Sequence, residues 1–271
     1  MSEFRLLLAK GFSLVEIAVV LVIISVLATI VAVPLATQIE QRRVEETRKQ
    51  IEVAKEALFG FAMANGRLPC PASAASNGVS SYCMSATGAC IATKIVQAHG
   101  RCSDSNGLLP AVTLGVAPVD AQGFAIDAWE DGTGLHRVRY AVSKFEFPAA
   151  SGTYPATATN GIRTATMDTV ALSTSQHLYV CGLGLAAASA TAACSVGVTT
   201  LTDRAVAVVY SVGKNGTTPF ASLSFDEQNN QGPSTDIVFT SGDPSAAFDD
   251  IVSWMSLNTL FSRMVQAGKL P

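Results

Sequence analysis

The first constraint is a run of 22 residues, Phe12 to Val33 (FSLVEIAVVLVIISVLATIVAV), with no lysine or arginine and a single acid, Glu16. A helix rises about 1.5 Å per residue, so the run is long enough for a hydrocarbon core of about 30 Å. Arg5 and Lys10 precede it and favour a cytoplasmic amino terminus, whereas the basic cluster at 42–49 opposes them. The charged fraction of the chain is 14%, against roughly 25% in an ordinary soluble domain. Between Phe12 and Ile39 only Glu16 is charged, which points to the same membrane segment.

A short basic leader before an apolar run also describes a secretory signal. Two features argue against that reading. No A-x-A site closes the run, which passes through Pro34 and Leu35 into a charged helical pattern. A carboxylate inside an apolar segment costs about 2–3 kcal/mol, and a plain anchor has no use for Glu16.

Lys10 to Ala28, KGFSLVEIAVVLVIISVLA, resembles the prepilin leader-peptidase motif of type IV pilins and type II secretion pseudopilins. The resemblance implies cleavage between Gly11 and Phe12 by a membrane aspartyl peptidase and N-methylation of Phe12. It also implies that Glu16 serves assembly by pairing with the first-residue amine of a neighbouring subunit. Pro34 lies one residue later than the family's usual helix-kinking proline.

After Pro34, residues Ile39, Val44, Ile51, Leu58 and Phe61 recur at helical spacings, with Glu45 and Lys49 at i,i+4 on the polar side. This predicts an amphipathic helix stopping at Asn65 and Gly66. Strands are expected at 136–142 (HRVRYAV), 177–183 (HLYVCGL), 204–212 (RAVAVVYSV) and 235–240 (TDIVFT). Asp243 and Pro244 suit the start of a final helix with Phe248, Ile251, Met255 and Met264 on one face. The expected fold is α+β: a long N-terminal transmembrane and spine helix packed on an antiparallel β-sheet head with disulfide-braced loops. Its parts are a leader at 1–11, a transmembrane half at 12–34, an amphipathic spine at 35–66 and a head at 67–271.

Six cysteines lie beyond the apolar run, without a C-x-x-C pair, and the three histidines are scattered, so disulfides are favoured over a zinc site. Six cysteines permit 15 pairings. Choosing short local loops that brace irregular segments gives Cys70 with Cys102, Cys83 with Cys90 and Cys181 with Cys194, in an oxidising compartment.

GRLPCPA at 66–72, with GLLPAVTLG and DAWEDGTGLHRVRYAV, resembles a pilin subgroup with a Cys-Pro motif after the spine helix. SVGKNG at 211–216 and DDIVSW at 249–254 are similar to segments of the major pseudopilin, whose loop binds calcium near such an Asp pair. That resemblance implies calcium at Asp249 and Asp250, with backbone oxygens near Ser211. Lys214 and Asn215 stand where the family is more acidic. Read from the residues alone, with few oxygen donors nearby in the sequence, the Asp pair suits first-turn acids facing a helix dipole better than a calcium site.

Gly182, Gly184 and Ala187 form G-x-G-x-x-A without a following helix and read as a loop. Asn215-Gly216-Thr217 matches a glycosylation acceptor and, more simply, a turn. No G-x-S-x-G, no Walker A sequence and no nucleophile–His–carboxylate grouping is evident, so no enzyme is expected. A net charge of −3 offers no whole-chain basic field for nucleic acid.

What the resemblance implies for function is a structural subunit, minor or specialised, of a type IV pilus or type II secretion pseudopilus. A tip-located minor pilin that contacts a surface, DNA or secreted cargo is the alternative, and a membrane-anchored periplasmic enzyme is the third and least favoured reading. The implied partners are other pilin or pseudopilin subunits, prepilin peptidase, an inner-membrane assembly platform and the membrane. The implied location is the bacterial inner membrane, single pass, with a periplasmic head, and then the filament.

Overall fold

The computed structural model describes residues 13–144, 152–164, 177–185, 193–232, 237–245 and 247–270, without the side chains of 28–36. Gly11, Phe12 and the 1–11 leader lie outside the described residues. The chain divides into two compact units, Met1–Arg43 and Val44–Pro271.

Helix α1 spans Leu14–Asn65, 52 residues. It opens on a reciprocal cap: Ser13 N–H donates to Glu16 Oε2 at 2.9 Å and Glu16 N–H donates to Ser13 Oγ at 3.2 Å. It ends at Gly66, whose φ of 68° suits a residue without a Cβ. Arg163 then supplies donors to the carbonyls of Met63 and Ala64, which no later helical turn reaches, at 3.4 and 3.0 Å.

The expected transmembrane half at 12–34 is corrected here. Among the described residues, no helix is long and apolar enough to cross a membrane. The fold is α+β, but the picture of a membrane-spanning spine helix does not hold. Two further expectations rested on that helix and fall with it: a pilus or pseudopilus subunit assembled through a spanning N-terminal helix, and a single-pass inner-membrane location.

In the second unit, a small hairpin pairs β1 (Tyr82–Cys83) with β2 (Ala92–Thr93), and a six-stranded sheet carries the rest. Its strands are β3 (Asn106–Leu108), β4 (Arg139–Val142), β5 (Leu178–Cys181), β6 (Thr200–Ser211), β7 (Val238–Thr240) and β8 (Ile251–Ser256). The order is β3-β4-β6-β5-β7, with β8 also paired to β6. The expected all-antiparallel sheet is mixed, because β7 runs parallel to β5. Central β6 is buried on both faces from Ala205 to Ser211, which explains its continuous apolar run.

One face of the sheet packs Val138, Tyr140, Val142, Val206 and Val209 against Ile51, Ala54, Leu58, Phe59 and Ala62 of α1. Full burial of each large side chain among these contributes about 1.5–3 kcal/mol. Short helices α2 (Ala111–Leu114), α3 (Gly161–Thr164) and α4 (Phe225–Asn230) join strands, and α5 (Leu257–Gln266) closes the chain. Leu260, Phe261 and Met264 of α5 enter the same core, and Arg263 clasps Glu56 of α1 at 2.5 and 2.8 Å.

The final helix starts later than its sequence suggests. Ile251–Ser256 is a strand laddered on β6, and the true cap is Ser256, whose Oγ accepts from Thr259 N–H at 3.2 Å. Asp249 and Asp250 therefore precede a strand, and the reading as first-turn helix acids is withdrawn.

Three disulfides brace the head: Cys70–Cys102, Cys83–Cys90 and Cys181–Cys194.

Candidate metal centre

The centre lies where three segments meet: the loop after β6, the first turn of α4 and the residues entering β8. The loop turns at Gly213, with φ 63°. A Cβ built there would lie 2.4 Å from the carbonyl oxygen of Asp249, so the close approach of the two backbones requires glycine. The turn aims Asn215 at the acids: its N–H donates to Asp249 Oδ2 at 3.1 Å and its Nδ2 to Glu227 Oε1 at 2.6 Å.

Glu227 is placed by a capping box. Ser224 Oγ accepts from Glu227 N–H at 3.3 Å, while Glu227 Oε2 accepts from Ser224 N–H at 3.1 Å. Asp250 is held from the other side by Asn230 Nδ2, which donates to Asp250 Oδ2 at 2.8 Å. One oxygen from each of Glu227, Asp249 and Asp250 lies within 4.8 Å of the others.

Burial drives the Asp250 carboxyl well above its usual pKa range, against the Asn230 hydrogen bond, and the charges of Asp249 and Glu227 push the same way. Two acceptors in this nest are buried with no hydrogen-bond donor among the described residues, Asp250 Oδ1 and Asn215 Oδ1. A cation would satisfy both and offset the like charges. All donors are oxygens, with no sulfur or imidazole in the group, which fits calcium, whose sites take 6–8 oxygens, better than zinc.

The loop is also fixed from behind. Ser211 Oγ donates to Asp127 Oδ2 at 2.5 Å and accepts from Gly213 N–H at 3.0 Å. His136 Nδ1 lies 3.0 Å from Gly213 O, so that nitrogen carries the hydrogen. Burial raises the Asp127 carboxyl above its usual range against the Ser211 and Trp129 hydrogen bonds.

Asp249 and Asp250 thus sit together beside the Ser211–Gly216 loop. Sequence reasoning missed Glu227 and the donor Asn230, and met Asn215 not as a donor but as a departure from the family's more acidic loop. The S-F-D-E pattern at 224–227 signalled a cap, but nothing in it tied Glu227 to an acid pair 22 residues later. The nest also argues against glycosylation at Asn215, whose side-chain amide is committed to Glu227. Glu16 lies in the first unit and has a partner in its own chain, Ser13.

Residues 8–32 match the family model described as the prokaryotic N-terminal methylation motif. The chain carries a prepilin-like methylation motif, consistent with the broader pilin and pseudopilin family. No curated protein and no solved structure matches the chain.

Proposed function

We propose that this chain is a pseudopilin-like precursor, cut between Gly11 and Phe12, methylated on the new Phe12 amine, and carrying a calcium-stiffened head. The match over residues 8–32 carries the reading, since Gly11, Phe12 and Glu16 all fall within it. Three disulfides suit a head that matures in an oxidising compartment. On this reading the partners are a prepilin peptidase and the assembly platform it serves.

The pseudopilin side is favoured by one specific arrangement. Asp249 and Asp250 meet the Ser211–Gly216 loop through the Asn215–Asp249 hydrogen bond. Glu227, Asp249, Asp250 and Asn215 Oδ1 would hold the ion, which supplies positive charge to a buried acidic nest.

Co-expression with a prepilin peptidase tests the processing. Intact mass should show loss of residues 1–11 and gain of one methyl group, and Gly11→Val should leave the precursor whole. A wild-type chain still beginning at Met1 in the presence of active peptidase would end the reading.

A further inference from the structure

The Cys83–Cys90 disulfide closes a hairpin tip that turns aliphatic side chains outward. Met84, Ile91, Ile95 and Val96 are 60, 67, 71 and 39% exposed. Met84 N–H donates to Ile91 O at 2.9 Å, and the register pairs Cys83 with Ala92, so Met84 and Ile91 stand opposite each other across the hairpin. Its base is pinned by Cys83 N–H to Arg101 O at 2.9 Å and Ser103 N–H to Ser81 O at 3.0 Å, as well as by the disulfide.

The charge on this element is opposite to that of the chain. Net charge overall is −3, yet from Tyr82 to Ser103 there are Lys94 and Arg101 and no aspartate or glutamate. Lys94 is exposed, and Arg101 Nη1 donates to Ser85 O at 3.3 Å, which lays the guanidinium along the hairpin. A projecting aliphatic tip flanked by cations matches an anionic lipid surface, where methyl and methylene groups enter the acyl boundary and ammonium and guanidinium groups meet phosphates.

We propose that the 84–96 segment, the hairpin tip with the residues that follow β2, docks on anionic phospholipid headgroups, with Ile91 and Ile95 entering the interface and Lys94 and Arg101 binding the phosphates. The test uses the full chain with all three disulfides intact. Hydrogen–deuterium exchange is followed at 84–96 on vesicles of phosphatidylcholine alone and of phosphatidylcholine with phosphatidylglycerol. The exposed apolar residues of α1 are present in both arms, so a difference at the tip reports the tip. Exchange at 84–96 should slow several-fold on the anionic vesicles only. Lys94→Gln should shift the lipid concentration needed for that slowing about fivefold. Ile91→Asp with Ile95→Asp should abolish the slowing while intact mass still reports three disulfides. Equal exchange on both vesicle types overturns the proposal. So does protection that appears only with an acidic soluble protein, which would assign the tip to a protein partner.

Discussion

Asn230 Nδ2 donates to Asp250 Oδ2 at 2.8 Å, and both residues are almost fully buried. The same amide also treats the edge of β7 as a neighbouring strand would, giving Nδ2–H to Thr240 O at 2.9 Å and accepting Thr240 N–H at 2.8 Å. Asn230→Leu removes three bonds and leaves buried partners without donors or acceptors. It should destabilise the protein by about 3 kcal/mol or more, read by urea unfolding. A loss under about 1 kcal/mol would mean that water replaces the amide.

Calcium should raise the thermal midpoint. At a concentration 100 times its Kd, a bound ion contributes about 2.7 kcal/mol. Asp250→Asn should erase that gain without lowering the calcium-free midpoint, because it removes one of three crowded negative charges. A calcium response unchanged in the variant would move the ion elsewhere.

Gly213→Ala should cost at least about 1–2 kcal/mol for the left-handed backbone alone, before the contact with Asp249 O is counted. Calcium should then give little further stabilisation, since Asn215 no longer reaches the acids. A variant that melts and binds calcium like the wild type would show that the loop relaxes.

Asp120 gives a pH-dependent expectation. Burial works to raise its carboxyl, but the amides of Phe124 and Gln122 and the Arg137 guanidinium outweigh it, and the net shift is downward. A carboxyl lowered in the fold stabilises it above the unfolded value near 4, and that contribution is lost as pH falls through the folded value. Asp120→Asn should therefore be less stable than wild type at neutral pH, with the gap closing below about pH 4. A gap constant with pH would mean that packing, not charge, holds the site.

The disulfides should differ in worth. Cys70–Cys102 spans 32 residues and Cys83–Cys90 spans 7, so loop entropy assigns them about 4 and about 2.5 kcal/mol. Paired serine variants compared by thermal unfolding give the order, and the reverse order would mean that the unfolded chain retains structure around Cys70.

Local signals were legible where physics is local. The stop of α1 at Asn65–Gly66 follows from glycine's freedom at positive φ, and the core of β6 follows from its unbroken apolar run. The apolar run at 12–33 was read by length, but among the described residues no helix is long and apolar enough to cross a membrane. Ile251, Met255 and Met264 are compatible with a helical face as a pattern, and pairing with β6 decides that Ile251 and Met255 lie in a strand. That information sits in Ala207 and Ser211, some forty residues earlier. Glu227 escaped for the same reason: its capping box is local, whereas its approach to Asp249 and Asp250 depends on where α4 and β8 come together.

The clasp between Glu56 and Arg263 joins residues 207 positions apart. Leu260, Phe261 and Met264 complete the layer against which Leu58 and Phe59 pack. During synthesis, the inward face of α1 therefore emerges long before the helix that covers it. A ribosome that stops anywhere short of α5 releases a chain with that face incompletely covered, and such a product is a natural substrate for chaperones and quality-control proteases.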